Sequence, residues 1–246
     1  MSMIIPNWNA PKNVKAFAST RFEGFSMGAY QGLNLGTHVG DDASLVEKNR
    51  VWLKQQANMP VSPVWLNQTH STDVVTVLEP TTDILDADGA FTTATGVVCS
   101  AMTADCLPVI LTDTKGIQVA AVHAGWRGLA GGILENAVAK FSNLDSDNQI
   151  MAWLGPAIGK DAFEVGDDVL EAFVNFDPQA QSAFQAKAEP GKWLANMSQL
   201  ATQRLAKVGV SQVTDSNLCT YADSDAFYSY RRDGITGRQA TFIWLD

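Results

Sequence analysis

The chain has 246 residues, 46% of them hydrophobic and 17% charged, with a formal net charge of −9. That length and balance suit one folded unit with a sizeable core and exclude a disordered chain. Acidity without a basic run speaks against binding to a nucleic-acid backbone, yet it leaves room for a small anion met by a local arginine.

The elements expected from periodicity run as follows in chain order. Residues 64–66 and 74–78 read as strands flanking "NQTHST". The runs 97–102, 107–111 and 117–122 are rich in β-branched residues and bounded by turns. After "HAGWRG" the apolar residues Ile133, Leu134, Ala137, Val138 and Phe141 recur at helical spacing, which predicts an amphipathic helix over 129–141. Residues 149–154 read as a strand closed by "GPAIG", and helices are expected near 168–175, 178–186 and 196–208. The C-terminus reads as a hairpin, with "FYSYRR" and "RQATFIWL" joined by "DGITG". Strands and helices interleave without strict βαβ alternation. The expected class is therefore α/β or mixed α+β, with a mixed sheet flanked by helices. No repeat, low-complexity tract or linker divides the chain, so residues 1–246 are read as a single domain.

Three cysteines, Cys99, Cys106 and Cys219, are too few and too odd in number for a disulfide framework, and they point to a reducing compartment. The start "MSMIIPNWNAPKNV" lacks the basic and apolar regions of a secretory signal. No apolar run approaches the roughly 18 residues of a membrane helix. A cytoplasmic chain without a membrane or nucleic-acid partner is expected; the oligomeric state is left open.

Chemistry concentrates in "TADCLPVILTDTKGIQVAAVHAGWRG". Cys106 stands at a loop-to-strand junction and His123 at a strand end, positions where such sheets present functional side chains. Cys99 and Cys219 read as small buried apolar residues. The glycine-rich turn after His123 opens a helix, so free N–H groups and the planar fork of Arg127 form a generic anion signature. His70 lies in a polar loop. Together His70, Cys106 and His123 offer one thiolate and two imidazoles, the donor set of a catalytic zinc with an open fourth position. Their separations of 36 and 17 residues match no local zinc-finger spacing but suit a site assembled from different strand ends. The same donors also suit copper.

The stretches "NQTHSTDV", "MTADCLPVIL", "AVHAGWRG", "WLGPAIG", "FEVG" and "YSYRRDGITGRQATFIWL", with "STRFEGFSMGAYQGLNLGTHVGDD" before them, resemble the YfiH-like, laccase-domain family of purine nucleoside phosphorylases. The resemblance covers nearly the whole chain. It implies a YfiH-like fold, metal ligands at His70, Cys106 and His123, and phosphorolysis of adenosine, inosine, guanosine and methylthioadenosine, with adenosine deamination beside it. Within that reading Asp105 could orient a ligand or shuttle a proton, with a turn aspartate as the plain alternative. Arg50, Asn34 and Gln68 are expected along the substrate pocket, and Ser229, Arg231 and Arg238 form a second tier. Two other chemistries compete. A laccase-like copper oxidase needs many more imidazoles than the three in this chain, His38, His70 and His123. A Cys106–His123 amide hydrolase, of the kind that could edit peptidoglycan precursors, needs no His70.

Overall fold

Side chains alternate across the longest strands and sort the interior into three packed layers. The computed structural model describes residues 3–246. In chain order the strands are β1 (Met3–Ile4), β2 (Val14–Ser19), β3 (Leu66–Asn67), β4 (Val74–Thr76), β5 (Leu85–Asp86), β6 (Gly89–Thr92), β7 (Cys99–Thr103), β8 (Leu107–Asp113), β9 (Val119–Ala124), β10 (Ile150–Leu154), β11 (Glu164–Gly166), β12 (Phe184–Ala186), β13 (Lys192–Ala195), β14 (Gln212–Asp215) and β15 (Gln239–Leu245). The α-helices are α1 (Ala43–Gln56), α2 (Trp126–Gly131), α3 (Ile133–Val138), α4 (Asp167–Val174), α5 (Met197–Lys207) and α6 (Tyr230–Asp233).

A six-stranded sheet, ordered β14-β10-β8-β9-β6-β4, lies against a four-stranded sheet, ordered β1-β2-β15-β7. The larger sheet is mixed. Its β10–β14 and β4–β6 pairs are parallel and the rest antiparallel. Leu107, Val109 and Leu111 of β8 and Ala120 and Val122 of β9 face the helical layer, packing with Leu129, Ile133, Leu134 and Leu200. Ile110, Val119, Ala121 and Trp153 turn the other way and meet Cys99, Ala101, Ile243 and Leu245 of the smaller sheet. The far face of that sheet, through Phe17, Met102, Phe242 and Trp244, packs on Leu53 of α1 and on Leu33 and Leu35. Strands covered on both faces read as unbroken apolar runs, which is why β8 and β9 are buried at every position. The class is mixed α+β, as expected.

Three local expectations are corrected. The helix over 129–141 is two helices, because Gly132 between them adopts φ 101° and ψ 26°. Residues 178–183 form a 3-10 helix, after which β12 begins, instead of a helix to 186. The C-terminal hairpin does not form. Ser229 caps α6 by accepting from the Arg232 N–H, and β15 pairs with β2 and β7. The helix α1 had no clear sequence signal because Asn49 interrupts its apolar stripe. Asn49 is buried all the same, donating to Ser26 Oγ at 2.9 Å and to the Asn34 carbonyl at 2.8 Å.

Candidate metal centre and its cavity

Strand register brings the first two candidate ligands together. Pro108 of β8 pairs with His123 of β9, so Cys106, one residue ahead of β8, lies beside the end of β9. His123 shares its face with Val119 and Ala121, and Cys106 continues the face of Ile110; both open onto the space between the sheets. His70 arrives on the loop between β3 and β4 with φ 62°, a left-handed conformation rare outside glycine.

Asp88, ahead of β6, fixes this arrangement. Its fully buried carboxylate accepts from the N–H groups of Thr69 at 3.1 Å, His70 at 3.0 Å and Ser71 at 2.7 Å, and from Ser71 Oγ at 2.8 Å. It also accepts from His123 Nδ1 at 2.7 Å. Burial alone would raise its pKa, but the bonds from His123 and Ser71 outweigh that and hold the carboxyl down at about 2. The ionised carboxylate can only accept, so His123 Nδ1 donates to it, and Nε2 is left as the ring nitrogen turned toward Cys106.

The ligand atoms of His70, Cys106 and His123 lie within 4.8 Å of one another. Cys106 Sγ is 3.7 Å from His70 Nε2, and the two imidazoles stand edge to face at 4.8 Å between centroids. A tetrahedral zinc with ordinary Zn–N and Zn–S lengths sets an N···S edge of about 3.6 Å, which the Cys106–His70 edge matches, and the donor set of one thiol and two imidazoles is one that suits this ion. Burial pushes the Cys106 thiol up, yet His123 and His70 overcome this and bring it down to about 6. Burial likewise opposes charge on His123, but the Cys106 thiolate and Asp88 raise it to about 9.

Two glycines of "HAGWRG" have a steric role. A Cβ on Gly125 would stand 2.5 Å from His70 Cδ2 and 3.3 Å from Cys106 Sγ. One on Gly128 would stand 2.7 Å from the Ser71 carbonyl oxygen. The turn is bare so that the His70 loop can lie against it.

The trio opens into a cavity of about 390 Å³. Every histidine of the chain lines it, together with Gln68, Tyr230 and Arg238, and no carboxylate does. Gln68 clamps the His70 loop to β7, donating to the Met102 carbonyl and accepting from the Met102 N–H, both at 2.8 Å. Arg50 lines an adjoining cavity of about 280 Å³ that shares His38 and Met102 with the first. Its guanidinium donates to the Leu35 carbonyl and lies 3.8 Å from the Trp65 ring centroid.

Other expected site residues lie outside the cavity. Asn34 is buried, accepting from the Gly36 and Arg238 N–H groups and donating to Asp41. It braces the segment that carries His38. Asp105, at φ 95°, accepts from Thr220 Oγ1, Ser229 Oγ and the Arg231 N–H, so its carboxylate ties the turn before Cys106 to α6. Arg127 is exposed, with its guanidinium 4.3 Å from the Trp126 ring centroid. Arg231 is also exposed and donates to the Glu164 carbonyl.

Sequence reading missed Asp88, His38 and Tyr230. Asp88 sits in "DADG", where a turn aspartate is unremarkable, and only its five bonds mark it out. The scarcity of histidine was the available signal for His38.

Among known proteins, the model of the multi-copper polyphenol oxidoreductase laccase family matches residues 15–246. A Haemophilus influenzae protein named purine nucleoside phosphorylase is 49% identical over 100% of both chains. Purine nucleoside phosphorylase YfiH of Escherichia coli is 49% identical over 99% of this chain and 98% of its own. A solved structure from Neisseria meningitidis superposes with a TM-score of 0.94 at 48% identity, covering 100% of both chains. With one family model spanning nearly all of it and relatives this close along its whole length, the chain belongs to the multi-copper polyphenol oxidoreductase laccase family, in the company of the YfiH proteins.

Proposed function

We propose that the chain is a zinc-dependent purine nucleoside phosphorylase, converting adenosine, inosine, guanosine and methylthioadenosine to free base and pentose 1-phosphate, and deaminating adenosine as well. The observation that carries this reading is the Asp88-braced trio of His70, Cys106 and His123 lining a cavity of about 390 Å³, within the usual range of small-ligand sites. The names of the relatives point the same way. In phosphorolysis a phosphate oxygen bonds to C1′ of the sugar while the C1′–N9 bond breaks. Its electron pair leaves with the purine, which takes up a proton.

A metal held by His70, Cys106 and His123 would supply Lewis acidity in the cavity. Asp88 keeps the His123 ring turned so that Nε2 would be its ligand atom, and Gln68 and Gly125 hold His70 beside it. Tyr230, exposed at the rim, offers a ring on which a purine can stack. Small molecules are thus the partners. A reducing cytoplasm is the fitting compartment, because Cys99, Cys106 and Cys219 are all free thiols. Among the described residues no helix is long and apolar enough to cross a membrane.

Copper chemistry of the multi-copper kind is disfavoured by ligand supply. All three histidines of the chain already line this one cavity, and a blue-copper site with a trinuclear cluster needs many more. Copper could enter only in the place of zinc.

The test is turnover of adenosine by the purified chain, with and without phosphate and with and without a strong chelator, the products being separated by chromatography. Phosphate-dependent adenine and ribose 1-phosphate, lost with chelator, are expected, with inosine formed in the absence of phosphate. No turnover by fully zinc-loaded protein would dismiss nucleosides as substrates. Full activity in His70→Ala would favour a metal-free Cys106–His123 hydrolase.

A further inference from the structure

The cavity carries a charge pattern at odds with the molecule. The chain holds 26 acidic against 17 basic residues, yet the cavity wall has an arginine, three histidines, the Cys106 thiol of the trio and no carboxylate. Arg127, the arginine that the sequence offers for an anion, stands outside it. Arg238 stands inside.

Several features fix Arg238 there. Its N–H donates to Asn34 Oδ1 at 2.8 Å. Nη1 donates to the carbonyls of Thr236 at 3.2 Å and Gly237 at 2.9 Å. Its stem runs over Gly36, where a Cβ would stand 2.8 Å from Arg238 Cγ. Among the described residues Nε and Nη2 make no hydrogen bond, so one edge of the guanidinium fork is left to a ligand. His38 lines the same cavity and lies within the fields of Arg238, Arg50 and His123. Burial first, then the Arg238 and Arg50 charges, lower its pKa, and its ring has an N–H to donate.

We infer that Arg238 and His38 form the oxyanion subsite of this cavity and receive the inorganic phosphate co-substrate in the cavity that the His70–Cys106–His123 trio also lines. This rests on the phosphorylase reading and assigns its second substrate. A phosphate held by one planar fork and one imidazole would share the cavity with the metal ligands and leave the Tyr230 ring for the purine.

The experiment uses the zinc-loaded full chain. Binding of inorganic phosphate is measured by titration calorimetry, and the KM for phosphate and for adenosine by steady-state kinetics. Arg238→Gln is expected to raise the phosphate Kd and KM at least tenfold, while the adenosine KM moves less than twofold. Arg238→Lys, which keeps the charge but loses the fork, should fall between. His38→Asn should raise the phosphate KM about threefold, and Arg127→Ala should leave it unchanged. Thermal melts confirm folding, and Arg238→Lys carries the test if the Gln variant does not fold. An unchanged phosphate KM in both Arg238 variants, or a rise in Arg127→Ala, would overturn the subsite while phosphorolysis stands. Phosphate bound through Arg238 by an enzyme whose turnover ignores phosphate would keep the subsite and remove phosphorolysis. Wild-type protein that binds no phosphate would remove both.

Discussion

At the scale of the residue, the centre depends on two positions that supply no ligand. Gly125 allows the His70 ring to approach a helix start that any Cβ would block, the nearest contact being 2.5 Å. Gly125→Ala should therefore displace His70. We expect metal content and turnover to fall at least tenfold with little loss of secondary structure, read by metal analysis alongside circular dichroism. Asp88 positions two candidate ligands at once, through His123 Nδ1 and through the N–H groups around His70. Asp88→Asn keeps the shape but removes the charge and one acceptor, so metal affinity should weaken about 10–100-fold, as measured by competition with a chromogenic chelator. Retention of wild-type affinity would reduce Asp88 to a loop brace. The contrast marks what was legible. His70, Cys106 and His123 could be singled out by residue type, because the chain has so few histidines and cysteines. Asp88 could not, because an aspartate among 26 acidic residues is distinguished only by what it touches. Asp105 shows the reverse: next to the candidate ligand Cys106 in sequence, it spends its carboxylate on Thr220, Ser229 and Arg231.

At the scale of the element, periodicity read the interior well and the punctuation poorly. The runs that became β7, β8, β9 and β10 and the helices α4 and α5 were legible, since buried strands are continuous apolar runs and α5 keeps its stripe through Leu200, Ala201 and Leu205. The break between α2 and α3 was hidden because the apolar spacing continues across it, whereas Gly132 departs from helical geometry at φ 101°. A Cβ there would also come within 3.3 Å of Arg204 Nη2. Gly132→Ala should destabilise the fold by about 1–2 kcal/mol, the cost of a left-handed non-glycine residue. Denaturant unfolding at constant slope would measure it. Turnover below the unfolding transition should be unchanged, because Gly132 lines no part of the cavity. The hairpin was misjudged for a related reason. Local alternation in "FYSYRR" competes with a Ser229 cap, and the cap prevails because its Oγ also donates to buried Asp105.

At the scale of the whole molecule, two sheets with helices outside them could not be read from the chain, because the second sheet joins its ends. β15 pairs with β2 across more than 200 residues, and no local pattern encodes that. The same architecture determines how metal and fold are coupled. The trio comes from the β3–β4 loop, the turn ahead of β8 and the end of β9, so its three donors meet only when the sheets are packed. The unfolded chain offers no such cluster, and metal binding must then add to native stability by mass action. With free zinc at a thousandfold excess over Kd the gain is about 4 kcal/mol, and at roughly 2–4 °C per kcal/mol for a chain of this size the melting temperature should rise by about 10 °C. Chelation should remove this increment reversibly. His70→Ala, on an exposed loop, should melt close to the chelated wild type and gain little from zinc, since its loss costs the fold a ligand and not a core contact. Scanning calorimetry of both proteins, with and without zinc, decides the matter. Equal zinc increments in the two would mean that the ion binds elsewhere, whereas an increment confined to the wild type ties it to the point where the two sheets and the loop converge.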